Sequence, residues 1–132
     1  MKLYDLLLEN EKIGTTELEK ADAPMGTVFG RINFVDIKSG YDFLKKYCLK
    51  NKIEILTDYV DEKLIVTSNI PNLVVTDENG KEIKGQAINI EGLDNEYFEV
   101  TILAVPYPFF EEEFPHHVKA YDDQFKTENE DR

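Results

Sequence analysis

Few residues in this chain are placed to do chemistry. His116 and His117, its only histidines, follow the run Glu111-Glu112-Glu113. Imidazole and carboxylate both ligate zinc. Adjacent histidines, however, point apart in helix and strand alike, and neither has a partner at the i+4 spacing of an H-E-x-x-H site. Two ordinary histidines in an acidic loop are expected, with no metal centre. Cys48 is the sole cysteine, so the chain can form neither an internal disulfide nor a four-thiolate metal site. A free cysteine packs as a small apolar residue, and a catalytic thiol needs an imidazole beside it. The single thiol suits a reducing, cytoplasmic setting. Paired carboxylates such as Asp122-Asp123 and Asp58/Asp61 are candidates for acid/base work, but 27 of 132 residues are Asp or Glu, so such pairs arise by composition alone. Acid/base catalysis also needs burial to raise a pKa.

Other site types fail on spacing. Gly26-Thr27-Val28-Phe29-Gly30 has the wrong interval for a phosphate loop and sits in a strand pattern, and the chain contains no G-x-S-x-G elbow. Gly30 suggests a bulge or a close backbone approach. Asp77-Glu78-Asn79-Gly80 lacks the alternating ligands of a calcium loop and reads as a hairpin turn. No catalytic residue, metal or cofactor is assigned.

Charge is more informative than any motif. The formal net charge is −12, and its distribution is uneven: −3 over residues 1–37, +4 over 38–52, −8 over 53–100 and −5 over 101–132. Nucleic-acid binding through phosphate neutralisation needs clustered Lys and Arg, so it is excluded as a function class, as is adhesion to an anionic membrane. Such an excess serves solubility by itself; the sharper reading is a negative surface that docks a basic protein, because complementary fields speed encounter and reject wrong partners. Residues 107–114 suit that role, with four aromatic rings beside three consecutive glutamates. Phe109, Phe110, Glu111, Glu112, Glu113 and Phe114 are therefore the candidate partner-binding residues, joined by Asp58, Asp61 and Glu62 on a hairpin turn. The competing reading of the aromatic stretch is an arm that packs its rings back on a sheet.

These residues must be positioned by recognisable elements. Residues 3–9 read as a short amphipathic helix; their apolar run is broken by Asp5 and has no cleavage site behind it, unlike a secretion signal. Residues 12–20 are a strand of mixed pattern, 21–26 a turn, and 27–35 a strand with Val28, Gly30, Ile32 and Phe34 on one face. The principal helix covers residues 39–50, with Ile37, Tyr41, Leu44 and Cys48 on one stripe and Asp36 or Ser39 as its cap. Period-two segments then follow at 53–59, 63–70, 73–76, 81–84, 87–90 and 97–105. Pro106 and Pro108 end the sheet, and beyond them lies an irregular tail with a short helix through Phe125.

The expected fold is α+β: a mainly antiparallel sheet of about six to eight strands with one helix packed on it. Residues 1–126 form one domain and residues 127–132 a frayed end. No stretch approaches the roughly 18–20 apolar residues of a membrane helix. In size and charge, and in no motif, the chain resembles the immunity proteins that neutralise bacterial toxins. The leading expectation is a non-enzymatic acidic protein that docks a basic protein partner, with neither nucleic acid nor membrane involved. A self-associating structural protein is one alternative, tested by concentration-dependent mass. A small ligand-binding domain or enzyme with a helix–sheet pocket is the other.

Overall fold

The computed structural model describes residues 2–130, with side chains through Phe125. In chain order the strands are β1 (Tyr4–Leu8), β2 (Glu11–Thr16), β3 (Lys20–Asp22), β4 (Thr27–Arg31), β5 (Asn33–Phe34) and, after helix α1 (Gly40–Lys50), β6 (Ile55–Tyr59). Then come β7 (Leu64–Thr67), β8 (Leu73–Thr76), β9 (Ala87–Leu93) and β10 (Phe98–Leu103), followed by helices α2 (Phe109–Glu113) and α3 (Pro115–Glu130). The strands form two antiparallel sheets, one of four in the order β5-β2-β1-β8 and one of six in the order β3-β4-β10-β9-β7-β6. The fold is α+β, as the patterning predicts, but it divides into two sheets where one is expected. No helix among the described residues is long and apolar enough to cross a membrane.

The expected N-terminal helix is strand β1. Tyr4, Leu6 and Leu8 are buried while Asp5 and Leu7 are only partly covered, which is the period of a strand. A short leucine run fits either period, so the turn decides. Glu9 and Asn10 both hold positive φ, 51° and 68°, and pair Leu8 with Glu11 across a two-residue hairpin. Two left-handed central residues give the primed turn whose twist suits antiparallel strands.

The single strand expected over residues 27–35 is also corrected. It splits at Ile32, whose amide donates to the Phe98 carbonyl, while three residues on the Val35 amide donates to Ile13 in the other sheet. This crossing joins the two sheets at β4 and β5. Gly30 lies at a close approach: a Cβ there would fall 2.5 Å from Thr16 Oγ1 and 2.8 Å from Leu18 Cα. Residues 81–84 form no strand, only an isolated bridge between Thr76 and Glu82.

Helix α1 matches its sequence pattern closely. Ser39 caps it by accepting from the Asp42 amide at 3.0 Å, and Tyr41, Leu44 and Cys48 are buried where the helix packs on β7 and β9. Burial pushes the Cys48 thiol above its usual value, which keeps it protonated and unreactive. Buried side chains of both sheets, among them Leu6, Val75, Val28, Ile90 and Ile102, join α1 and the tail in one hydrophobic core.

The tail is more helical than expected: beside the short helix predicted through Phe125, which is α3 and starts earlier, residues before it form α2. Phe110 and Phe114 stand one helical turn apart, and Pro115 opens α3 at a position where its missing N–H costs nothing. The frayed end expected at residues 127–132 has its side chains outside the described residues, although the α3 backbone is described through Glu130.

Candidate functional site

The aromatic-acidic stretch is divided between core and surface. Phe110 and Phe114 are fully buried, with ring centroids 5.4 Å apart and Phe114 6.0 Å from Tyr4 on β1. Burying each ring contributes about 1.5–3 kcal/mol, so these two rings hold the tail on the body. Glu113, only 7% exposed, is their polar counterpart. Its carboxylate accepts from Tyr4 Oη at 2.8 Å and pairs with Lys2 and, at 2.9 Å, with Lys81. Burial works against its charge, yet the Lys2, Lys81 and Tyr4 donors together hold its pKa below the ordinary glutamate value. The loop after β8 supports this arrangement: Asp77 Oδ1 accepts from the Asn79 and Lys81 amides at 2.9 Å, fixing the backbone that carries Lys81.

What this segment presents to solvent is therefore Glu111 and Glu112, with Phe109 half-buried beneath Lys81 at 5.4 Å. Tyr107 is exposed beside them and donates its hydroxyl to the Ala23 carbonyl at 2.8 Å. Its phenol is pushed up by partial burial and by the nearby carboxylates of Glu111 and Asp122. Asp58, Asp61 and Glu62 lie at or just after β6, the opposite edge of the six-stranded sheet from β3. Asp58 is half-buried, pairs with Lys45 at 3.0 Å and accepts from Tyr41, whereas Asp61 and Glu62 are exposed. The structure thus separates the two groups that sequence reasoning combined.

Sequence reasoning missed the concave feature between them. Along β10 the residues Phe98, Val100 and Ile102 face the core, which turns Glu99 and Thr101 to the opposite face beside Phe29 of β4 and Glu91 of β9. Helix α3 stands over this outer face, held by His117, whose Nε2 donates to the Leu18 carbonyl at 2.8 Å. Between sheet and helix runs an open groove of about 850 Å³. Its floor carries Phe29, Thr101, Glu91 and Glu99, its rim Lys20 and Asp22, and its helical wall His117 and Tyr121. Lys20 is paired with Glu99 at 3.1 Å, while Arg31 stacks 4.1 Å from the Tyr97 ring at the adjoining end. Glu91 and Asp22 have no ion-pair partner among the described residues.

The strand alternation already marks Glu99, Thr101 and Phe29 as sharing a non-core face. Tyr121 and Phe125 fall in the short helix expected through Phe125, at i, i+4 spacing with His117; what the sequence does not show is that this helix stands over the outer face of the sheet. Among the described residues no three His, Cys, Asp or Glu side chains gather as a metal site. The groove offers solvated carboxylates beside aromatic and aliphatic surface, a combination that suits lysine and arginine side chains. Comparison with protein-family models, curated proteins and solved structures finds no match.

Proposed function

We propose that this chain is a non-enzymatic binding protein that docks a basic segment of a protein partner along the groove between the six-stranded sheet and α3, in the manner of an immunity or inhibitor protein. The observation that carries the reading is the charge left over in that groove. Its rim lysine is already engaged with Glu99, so Glu91 and Asp22 remain to meet an incoming cation beside Phe29 and Tyr121. The exposed Glu111, Glu112 and Asp122 extend the same sign of charge around α2 and α3. The buried thiol of Cys48 suits a reducing compartment, and cytoplasmic residence belongs to this proposal.

The test is calorimetric titration with an arginine-rich peptide at several salt concentrations. Affinity should fall steeply with salt, as screening shortens the reach of exposed charges. The double variant Asp22→Lys, Glu91→Lys should weaken binding at least tenfold at low salt, about 1.4 kcal/mol. The same reversal at Glu78 and Glu82, outside the groove, should change it far less. Affinity that is flat with salt, or that drops equally for both reversals, would overturn the groove as the docking site.

A further inference from the structure

We propose that β6 is a self-association edge: two copies of this chain pair antiparallel through β6, each setting the basic end of α1 against the acidic β6–β7 turn of the other.

β6 closes one side of the six-stranded sheet and is bonded only to β7. Its outer N–H and C=O groups form a template for another strand. Along and just past it, Leu56, Tyr59 and Val60 are 57%, 58% and 60% exposed, a density of apolar side chains that a solvated edge does not need. Leu56 falls at a bulge between Ile55 and Thr57, which leaves it outside the ladder. Edge strands are commonly guarded by a bulge, such as this one, which limits the regular template to Thr57–Tyr59, or by a charge at mid-strand. Here that charge is Asp58, and it is already neutralised by Lys45 and the Tyr41 hydroxyl. Those same two donors hold its pKa below the usual carboxylate value, so the pairing persists at neutral pH.

Charge identifies the occupant. Lys50 and Lys52 precede β6, Asp61 and Glu62 follow it, and none of the four has an ion-pair partner among the described residues. Five extended residues separate the two ends by roughly 17 Å, so the lysines and carboxylates of one copy cannot satisfy each other. β6 itself ends at Tyr59, and Lys52 and Glu62 lie in the turns on either side of it; an antiparallel pairing with its twofold at Thr57 sets the lysine-bearing turn of each copy at the same end as the acidic turn of the other. The strand is therefore complementary to itself, as an isologous dimer requires.

Sedimentation velocity of the full chain over a range of concentrations at low salt tests this. The wild type should shift from monomer to dimer as concentration rises, and Tyr59→Lys should remain monomeric with an unchanged circular dichroism spectrum. Lys52→Glu and Glu62→Lys should each weaken the dimer about tenfold by facing like charges. An equimolar mixture of those two variants should recover it as a heterodimer, since each then supplies the charge the other lacks. A wild type that stays monomeric throughout, a dimer unaffected by Tyr59→Lys, or a mixture no tighter than its components would overturn the proposal. The groove lies at the other edge of the sheet, so reversing Asp22 and Glu91 should leave the dimer intact; success or failure here is independent of the peptide titration.

Discussion

At the scale of single residues, Glu113 shows how the same side chain serves opposite purposes in two contexts. Within a run of three glutamates it looks like surface acid. Helical spacing on α2 separates it from Glu111 and Glu112 and turns it inward beside Phe110 and Phe114, where Lys2, Lys81 and Tyr4 meet it. Burial also pushes the Tyr4 phenol far above its usual value, keeping it a donor to the carboxylate. Glu113→Gln keeps the shape and removes the charge that three donors surround. Because Lys2 and Lys81 are half-exposed and can turn to water, the expected loss is about 1–3 kcal/mol, not the larger cost of stranding a fully buried ion. The sign with pH follows from the depressed pKa. The contribution is complete above the ordinary glutamate value of 4.5 and is lost as pH falls below it toward the folded-state value. Urea denaturation of wild type and variant should therefore show a stability gap that is constant near neutrality and narrows as pH drops below 4.5. A gap that widens on acidification would contradict the charged network.

At the scale of elements, legibility followed how many independent signals each segment carried. Helix α1 has an apolar stripe, a capping serine and a lysine, Lys50, in its last turn, and its bounds differ from the expected ones only at the start. β8 and the buried face of β10 are equally plain, since alternation and flanking turns agree. β1 carried only a leucine run, and the deciding feature, left-handed φ at Glu9 and Asn10, is not one that glutamate announces. In the tail a short helix through Phe125 is expected, and it begins earlier, at Pro115, because proline is well tolerated in a first turn. The groove depends on where that helix docks, which spacing alone does not give, so the sequence marks Glu111 and Glu112 but not Glu91 and Tyr121. The clearest element also gives the cleanest test. Ser39 accepts from Asp42 and donates to Asp94, whose other oxygen accepts from the Tyr41 amide at 3.0 Å, so the start of α1 is tied to the β9–β10 connection. Ser39→Ala should cost about 1–2 kcal/mol, the upper part of the range for a lost cap. It should lower the urea midpoint without changing the slope; a change below about 0.5 kcal/mol, the range of an ordinary surface substitution, would mean that Asp94 alone holds the helix start.

At the scale of the whole molecule, the charge of −12 acts in two directions at once. Within the folded chain the ion pairs among the described residues join six lysines to six carboxylates, which cancels equal numbers and leaves the acidic excess in place. That excess repels itself and opposes compaction. Toward a basic partner the same excess attracts, and at β6 the opposed ends of the strand attract a second copy. Salt screens all three, with a Debye length of about 30 Å at 0.01 M and about 8 Å at 0.15 M. Self-repulsion acts over the longest distances and should be screened first. Raising NaCl from about 0.01 to 0.15 M should therefore increase Tm by a few degrees, on the scale where 1 kcal/mol shifts a domain of this size by about 3–5 °C, while weakening both peptide binding and dimerisation. Thermal melts belong at the lowest workable protein concentration, where the monomer dominates and loss of dimer does not mask relief of repulsion. If Tm instead falls with salt under those conditions, the local pairs at Glu113 and Asp58 outweigh the global excess, and the acidic surface would then be balanced for folding instead of being held in reserve for a partner.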